Sequence, residues 1–102
     1  TECMDNAYIA SYDIAFNKAY TSAALKIPTK ILKTLAQPGG ELYGIQHTND
    51  GKIVVFGGGV PLEYNGNIIG ALGVSGGSET QDTMLADFGA EIFTEELLCL
   101  KK

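Results

Sequence analysis

The residues most suggestive of catalysis lie in one short segment. Gly73-Val74-Ser75-Gly76-Gly77 matches the G-x-S-x-G pattern that places a nucleophilic serine on a turn between a strand and a helix. A serine hydrolase of that kind needs an acid and a histidine later in the chain, whereas the single histidine, His47, precedes the serine. We therefore interpret the segment as a tight strand-to-helix turn rather than as a hydrolase site.

The glycines of this turn also suggest an anion site. Gly76, Gly77 and Ser78 precede a predicted helix, and free N–H groups at a helix N-terminus bind carboxylates and phosphates. Ser78 and Gln81 form an S-x-x-Q capping box, which satisfies the same donors without a ligand. The residues alone leave both interpretations open.

Side chains that can ligate a metal are scattered along the chain. His47 borders a polar turn and is the candidate iron ligand, although a single histidine in such a loop is more often solvated. Met4 and Met84 are candidate soft ligands, although methionines more often fill cores. The acids without the spacing of a cation site are Asp5, Glu79 and Asp82.

Two helices are predicted in the first half of the chain. Over residues 9–24, apolar side chains recur every three or four positions, which is the period of one helical face. Its alanines favour close packing against a sheet, and Pro28 ends the helix. Thr29 is the predicted cap of a second helix over residues 30–36. The side chains expected to point inward are Tyr12, Ala15, Phe16, Ala19, Tyr20 and Ala23 in the first helix, and Ile31, Leu32 and Leu35 in the second.

The middle of the chain is less regular. Residues 42–45 fit either a turn of helix or a short extended piece, and residues 48–51 have the composition of a turn. Residues 52–56 contain an unbroken apolar run, which predicts a strand covered on both faces. The glycines at residues 57–59 then predict a bend where a side chain would clash.

A hairpin follows the bend. Residues 60–64 and 67–75 form its predicted strands about Asn65-Gly66, the dipeptide favoured where both turn residues take positive φ. Gly70 and Gly73 inside the second strand indicate that a helix or a ligand packs close to the backbone.

The capping box opens a last helix that is predicted to run to about residue 93. Residues 94–102 either extend this helix or fold back over the sheet. Helices on either side of a hairpin predict an α+β domain with an antiparallel sheet. The residues expected on the buried side of the last helix are Met84, Leu85, Ala86, Phe88 and Ile92.

The composition and net charge argue against several classes of function. The chain has 102 residues and a formal net charge of -5, from 12 acids and 7 bases, so we expect no binding to nucleic acid or to an acidic membrane surface. The longest apolar run, residues 68–74, is far short of a membrane span of roughly 20 residues. The first ten residues lack the pattern of a secretory signal, and Cys3 and Cys99 are not expected to pair, so the expected location is cytoplasmic.

A series of motifs in a fixed order resembles the GlcG/HbpS/PduO C-terminal family. The densest part is Gly58-Gly59-Val60-Pro61-Leu62, followed by Gly66 and by Ile69-Gly70-Ala71-Leu72-Gly73-Val74-Ser75-Gly76-Gly77, then Gln81-Asp82. Upstream, Met4-Asp5-Asn6-Ala7 resembles the MDxA segment, and Ala15 with Lys18-Ala19-Tyr20-Thr21 resembles the AxxKAxTA helix. Downstream, Ala86, Gly89 and Ala90 fit the closing helix, so the resemblance covers residues 4–92.

The resemblance implies a profilin-like fold, with three α/β/α layers about an antiparallel sheet. The family places a helix and a strand pair before the MDxA segment, so we expect residues 1–102 to form a single domain that lacks these elements. A sheet without them has an uncovered edge, which tends to pair with another chain. The expected partners are therefore further copies of this chain, in a homo-oligomer, or a separate polypeptide.

The resemblance also implies a ligand, haem or a related tetrapyrrole, and some family members are associated with haem degradation. Clefts are expected near the bend at residues 57–61 and near the Gly76 loop. An accessory module of diol or glycolate metabolism is the alternative, and an enzyme acting on a small organic acid is the third candidate. The residues expected at the ligand are Lys18, Thr21, Gly58, Gly59, Pro61, Gly76, Gly77 and Ser78, with His47 at the metal.

Overall fold

The structure is a computed structural model that describes residues 1–100. Two short 3-10 turns, Ile45–His47 and Asn49–Gly51, lie between the second helix and the first strand. The described helices and strands are α1 (Ile9–Leu25), α2 (Thr29–Leu35), β1 (Gly59–Tyr64), β2 (Asn67–Gly73) and α3 (Glu79–Leu100). Within the described residues, β1 and β2 form a two-stranded antiparallel sheet. No helix among them is both long and apolar enough to cross a membrane.

The hairpin is confirmed at the predicted dipeptide. Asn65 and Gly66 have φ values of 52° and 79°. Because both are positive, the turn has the twist that suits two antiparallel strands. The register pairs Gly59 with Gly73 and Tyr64 with Asn67, with one irregularity between Leu62 and Glu63.

Helices cover both faces of the hairpin, which confirms the α+β layer arrangement. Successive strand residues point to opposite faces. At Gly73, a Cβ atom would point into the α1 backbone at Ala15, whereas the side chain of the adjacent Leu72 points towards Gly89 of α3. The hairpin is therefore the middle layer, between α1 and α3, and the predicted close approach at Gly73 is made by a helix.

The predicted strand at residues 52–56 is wrong, because the described segment has no strand hydrogen bonds of its own. A side chain of α1 replaces the neighbouring strand: the Thr21 hydroxyl accepts the Val54 N–H at 2.9 Å and lies 3.3 Å from the Lys52 carbonyl. Ile53 is buried, so the apolar run indicated burial correctly but not conformation.

Thr29 is not the cap of α2, which begins at Thr29 itself with Pro28 before it. The Thr29 hydroxyl instead accepts the N–H of Gly59 at 2.9 Å. This bond satisfies a backbone donor at the edge of β1 that no strand within residues 1–100 covers. The threonine therefore ties α2 to the sheet rather than capping a helix.

The expected inward faces of the helices are only partly correct. Ala86 and Leu32 are fully buried as expected, and Ala15 and Ala19 of α1 lie against β2. The buried residues of α1, however, are polar: Ser11, Lys18, Thr21 and Ser22. The large side chains that were expected inside and are exposed are Tyr12, Phe16, Ile31, Met84, Leu85, Phe88 and Ile92. Residues 94–100 continue α3, so of the two alternatives for the tail the described part extends the helix.

We expect Gly73→Ala to destabilise the fold, because the new Cβ would meet the Ala15 carbonyl oxygen of α1. Overpacking against backbone typically costs about 1–3 kcal/mol. Gly70→Ala is the matched control, since its Cβ would have Leu62 Cδ1 at 3.9 Å as its nearest neighbour. Urea unfolding of both variants measures the difference. Equal stabilities would contradict the close packing of α1 on β2.

Candidate ligand-binding cleft

A large open cleft lies beside the hairpin, with α1 and α3 as its walls. Its volume is about 1900 Å³, and its lining includes residues 1–8 and the turn at residues 74–77. Part of β2, from Ala71 to Gly73, lines the cleft between the walls. The exposed large apolar side chains that line it are Met4, Tyr8, Ile9, Tyr12, Phe16, Met84, Leu85 and Phe88.

The charged side chains that line the cleft are all acidic. Among the described residues that line it there is no lysine, arginine or histidine, whereas the acids are Glu2, Asp5, Asp82, Asp87 and Glu91. Asp82 and Asp87 pair with lysines that lie outside the lining. Glu2, Asp5 and Glu91 form no ion pair within residues 1–100. The cleft is therefore apolar with an acidic rim.

A buried ion pair joins the two walls. The Lys18 ammonium of α1 donates to Asp82 Oδ2 of α3 at 3.2 Å and to the Val74 carbonyl at 2.8 Å. It also lies 5.1 Å from the centroid of the Phe56 ring, within the range of a cation–π contact. The Lys18 and Asp82 side chains are 1% and 6% exposed, so this pair is almost fully removed from water.

Lys18 and Thr21 therefore have protein partners where a ligand contact was expected. The Lys18 ammonium donates to Asp82 and to the Val74 carbonyl. The Thr21 hydroxyl donates to the Asn17 carbonyl at 2.7 Å. Both residues are buried and neither lines the cleft. In this structure they position α1 and the 52–56 segment.

The predicted glycine bend is closed by packing. A Cβ at Gly58 would lie 2.7 Å from Lys18 Nζ, and one at Gly59 would lie 2.5 Å from the Lys18 carbonyl oxygen. Gly58 also takes a φ of 125°, a conformation that side chains disfavour. Both glycines are buried, and neither they nor Pro61 line the cleft. Of the two expected positions, the Gly76 loop lines the cleft and the bend does not.

The Gly76 loop does line the cleft, but α3 satisfies much of its hydrogen bonding. Gly77 N–H donates to Asp82 Oδ1 at 3.0 Å. The capping box is formed, with Ser78 N–H donating to Gln81 Oε1 at 2.9 Å and Gln81 N–H to Ser78 Oγ at 3.2 Å. The capped-helix interpretation therefore describes this loop, while Gly76 and Gly77 remain cleft residues.

Candidate metal ligands are not brought together. His47 is exposed on the Ile45–His47 turn, outside the cleft. Among the described residues, no three of the His, Cys, Asp and Glu side chains are grouped to hold a metal ion. Glu79 pairs with Lys33 at 2.7 Å and Asp82 with Lys18, whereas Met4 and Met84 both line the cleft.

Two features of the site were missed from the sequence. One is residues 1–8, which line the cleft without forming a helix or strand. The other is the pairing of Lys18 with Asp82, which lie 64 positions apart. A lysine among the small residues of a helix is a weak signal of such a pair, and nothing in the local sequence identifies its partner.

Fold and site together define a small α+β domain with an apolar cleft beside an antiparallel hairpin. The model of the family described as haem degrading protein HbpS-like matches residues 1–91. The chain belongs to this HbpS-like family, which confirms the resemblance recognised in the sequence.

Relatives agree with this assignment. A 15.0 kDa uncharacterised protein of the dhaT-dhaS intergenic region of Citrobacter freundii is 49% identical over 92 residues, covering 90% of this chain and 65% of that protein. The crystal structure of Klebsiella pneumoniae protein ORFY matches with a TM-score of 0.87 and 44% identity, over 91% of this chain and 64% of that one. A crystal structure of a PduOC:heme complex matches with a TM-score of 0.81 and 43% identity, over 84% and 62%. The chain thus spans less than two thirds of these relatives.

We expect Lys18→Met to be strongly destabilising, because it leaves the Asp82 carboxylate buried without its charge partner. Removing one member of a buried pair costs about 3–5 kcal/mol. Lys33→Met is the matched control, since the Lys33–Glu79 pair is 47% and 37% exposed and such pairs contribute about 0–1 kcal/mol. Chemical denaturation measures both. The double variant Lys18→Met/Asp82→Leu should recover part of the loss, and a Lys18→Met loss as small as the control's would contradict the structural role of the pair.

Proposed function

We propose that this domain binds haem or a related tetrapyrrole in the cleft between α1 and α3. The observation that carries the proposal is the combination of an apolar, partly aromatic cleft with membership of a family in which a structural relative is a haem complex. Ligand sites are typically apolar cavities with a few polar groups. A flat macrocycle suits walls that present Tyr12, Phe16 and Phe88.

The side chains of the cleft set the expected mode of binding. Because no basic side chain lines it among the described residues, the propionates would point to solvent rather than to a protein cation. Haem iron is held in proteins by His, Cys, Met or Tyr. His47 lies outside the cleft. The lining residues of these types are Cys3, Met4, Tyr8, Tyr12 and Met84. Bound haem would supply iron redox chemistry, and the chain would supply an apolar surface for the ring.

The expected site residues divide accordingly. Gly76 and Gly77 line the cleft and remain proposed contacts. Lys18 and Thr21 do not line the cleft, and their hydrogen bonds join α1 to Val74 and to Val54. A role for His47 at the iron stays a prediction, and so do haem degradation, a homo-oligomeric state and a cytoplasmic location.

A haemin titration followed at the Soret band tests the proposal. We expect saturable binding that Phe88→Glu weakens by roughly tenfold or more, because the variant places a charge in the apolar wall beside the ring. Tyr43→Glu is the control, since Tyr43 is an exposed aromatic residue outside the cleft. His47→Ala tests the predicted role of His47 at the iron, since an altered Soret spectrum supports that role and an unchanged one excludes it.

Two results would contradict this account in different ways. If micromolar haemin gives no spectral change, binding is excluded and an accessory role without a ligand is favoured. If His47→Ala abolishes the bound spectrum while Phe88→Glu does not, haem binds outside the cleft. Adding a reductant to the complex tests turnover, since a bound spectrum that persists without bleaching argues against degradation.

A further inference from the structure

The acids that line the cleft are not all balanced by a cation. Asp82 pairs with Lys18 at 3.2 Å, and Asp87 pairs with Lys30 at 2.9 Å. The other lining acids form no ion pair within residues 1–100. A free ammonium group at Thr1, which also lines the cleft, would balance at most one of them. The lining acids without a charge partner are Glu2, Asp5 and Glu91.

The groups beside the cleft that could bind a carboxylate already have protein acceptors. Lysine ammonium groups and the N–H groups at a helix N-terminus are the usual partners of a ligand carboxylate. Lys18 is 1% exposed and donates to Asp82. In the turn before α3, Gly77 N–H donates to the other oxygen of Asp82 at 3.0 Å. The next N–H, that of Ser78, donates to Gln81 Oε1 at 2.9 Å.

These two observations have the same consequence for a ligand. A carboxylate at the edge of a bound ring would face negative charge and would find these donors taken. Like charges brought together at a binding surface oppose association. An ester or an amide in the same position carries no charge, so it avoids this repulsion. The body of the ring is unaffected, since the side chains of Phe16 and Phe88 offer it an uncharged surface.

We propose that the cleft selects among tetrapyrroles by the charge at the periphery of the ring. Rings whose carboxyl groups are esterified or amidated bind more tightly than rings with free carboxylates. Glu2, Asp5 and Glu91 determine this specificity by repelling carboxylates, whereas the apolar walls supply the affinity. The inference rests on the proposed function, because it concerns the ligand of the same cleft. Haem, with its two propionates, is then a weaker ligand than its neutral derivative.

The test compares iron porphyrins that differ in their number of free carboxylates. Haemin esterified on both propionates with a short neutral glycol chain has none, haemin has two, and iron coproporphyrin has four. We expect the affinity, measured at the Soret band, to fall by roughly threefold or more at each step in about 0.01 M salt. The differences should shrink in about 1 M salt, because the screening length falls from about 30 Å to about 3 Å.

A charge reversal in the rim gives a second readout. We expect Glu91→Lys to strengthen haemin binding by roughly threefold or more in about 0.01 M salt, because a cation replaces a repelling acid. Binding of the neutral ester should stay within roughly twofold. Glu96→Lys is the matched control, since it changes the net charge equally, outside the cleft lining and about 140° further around α3. It should leave the ratio of the two affinities within roughly twofold.

The outcomes separate this inference from the proposal of haem binding. If haemin and its neutral ester bind equally in low salt and Glu91→Lys changes neither, selection by charge is wrong while haem binding stands. An effect of Glu96→Lys as large as that of Glu91→Lys would assign the preference to the net charge of the chain and overturn the role of the rim. No spectral change with any of the porphyrins would remove both proposals.

A further pair of variants covers the case in which Glu91→Lys does not fold. Glu2 and Asp5 precede α1 and lie in no helix or strand, so Glu2→Gln and Asp5→Asn alter the rim without changing a helix. The double variant should strengthen haemin binding and leave that of the neutral ester within roughly twofold. Equal affinities of the double variant and the unmodified chain for haemin, at low salt, would contradict the proposal.

Discussion

The arrangement of this domain depends on a lysine that is buried with three partners. Lys18 joins α1 to the end of β2 through the Val74 carbonyl and to α3 through Asp82, and Phe56 covers it. Removing an ammonium group from water is costly, and a paired carboxylate with further hydrogen bonds offsets that cost. Asp82 in turn accepts the Gly77 N–H, so the turn before α3 belongs to the same network.

This network explains why the domain has an open side. The buried residues of α1 are polar and those of α3 are Asp82 and Ala86, so many large apolar residues of both helices stay exposed. Several of them form the walls of the cleft. The same helices that enclose the hairpin therefore present the surface of the proposed ligand site, and the ion pair joins its two walls.

Local signals allowed much of the fold to be predicted. Asn65-Gly66 and the Ser78–Gln81 capping box act over a few residues, and both formed as expected. The order of glycine motifs identified the family. Residues 52–56 were misassigned because Thr21 supplies the hydrogen bonds expected from a neighbouring strand. No property of the segment itself indicates a partner that lies about thirty residues earlier.

The buried faces were mispredicted for a related reason. Periodicity assumes that the apolar face of a helix packs inside, whereas α1 buries Lys18 and Thr21 with partners. The family motif around these residues indicated that they matter, but not that they face the interior. The candidate site was accordingly expected at the bend of residues 57–61, which is closed, and at the Gly76 loop, which lines the cleft.

The account rests on a cleft that lies open along β2 in the isolated chain. Amide hydrogen exchange of dilute chain without any ligand tests this most directly, by comparing neighbouring residues of one strand. The account predicts protected amides at Leu72 and Val74, which face β1, and fast exchange at Ala71 and Gly73. Equal protection at all four positions would show that the edge is covered, and would contradict the open cleft.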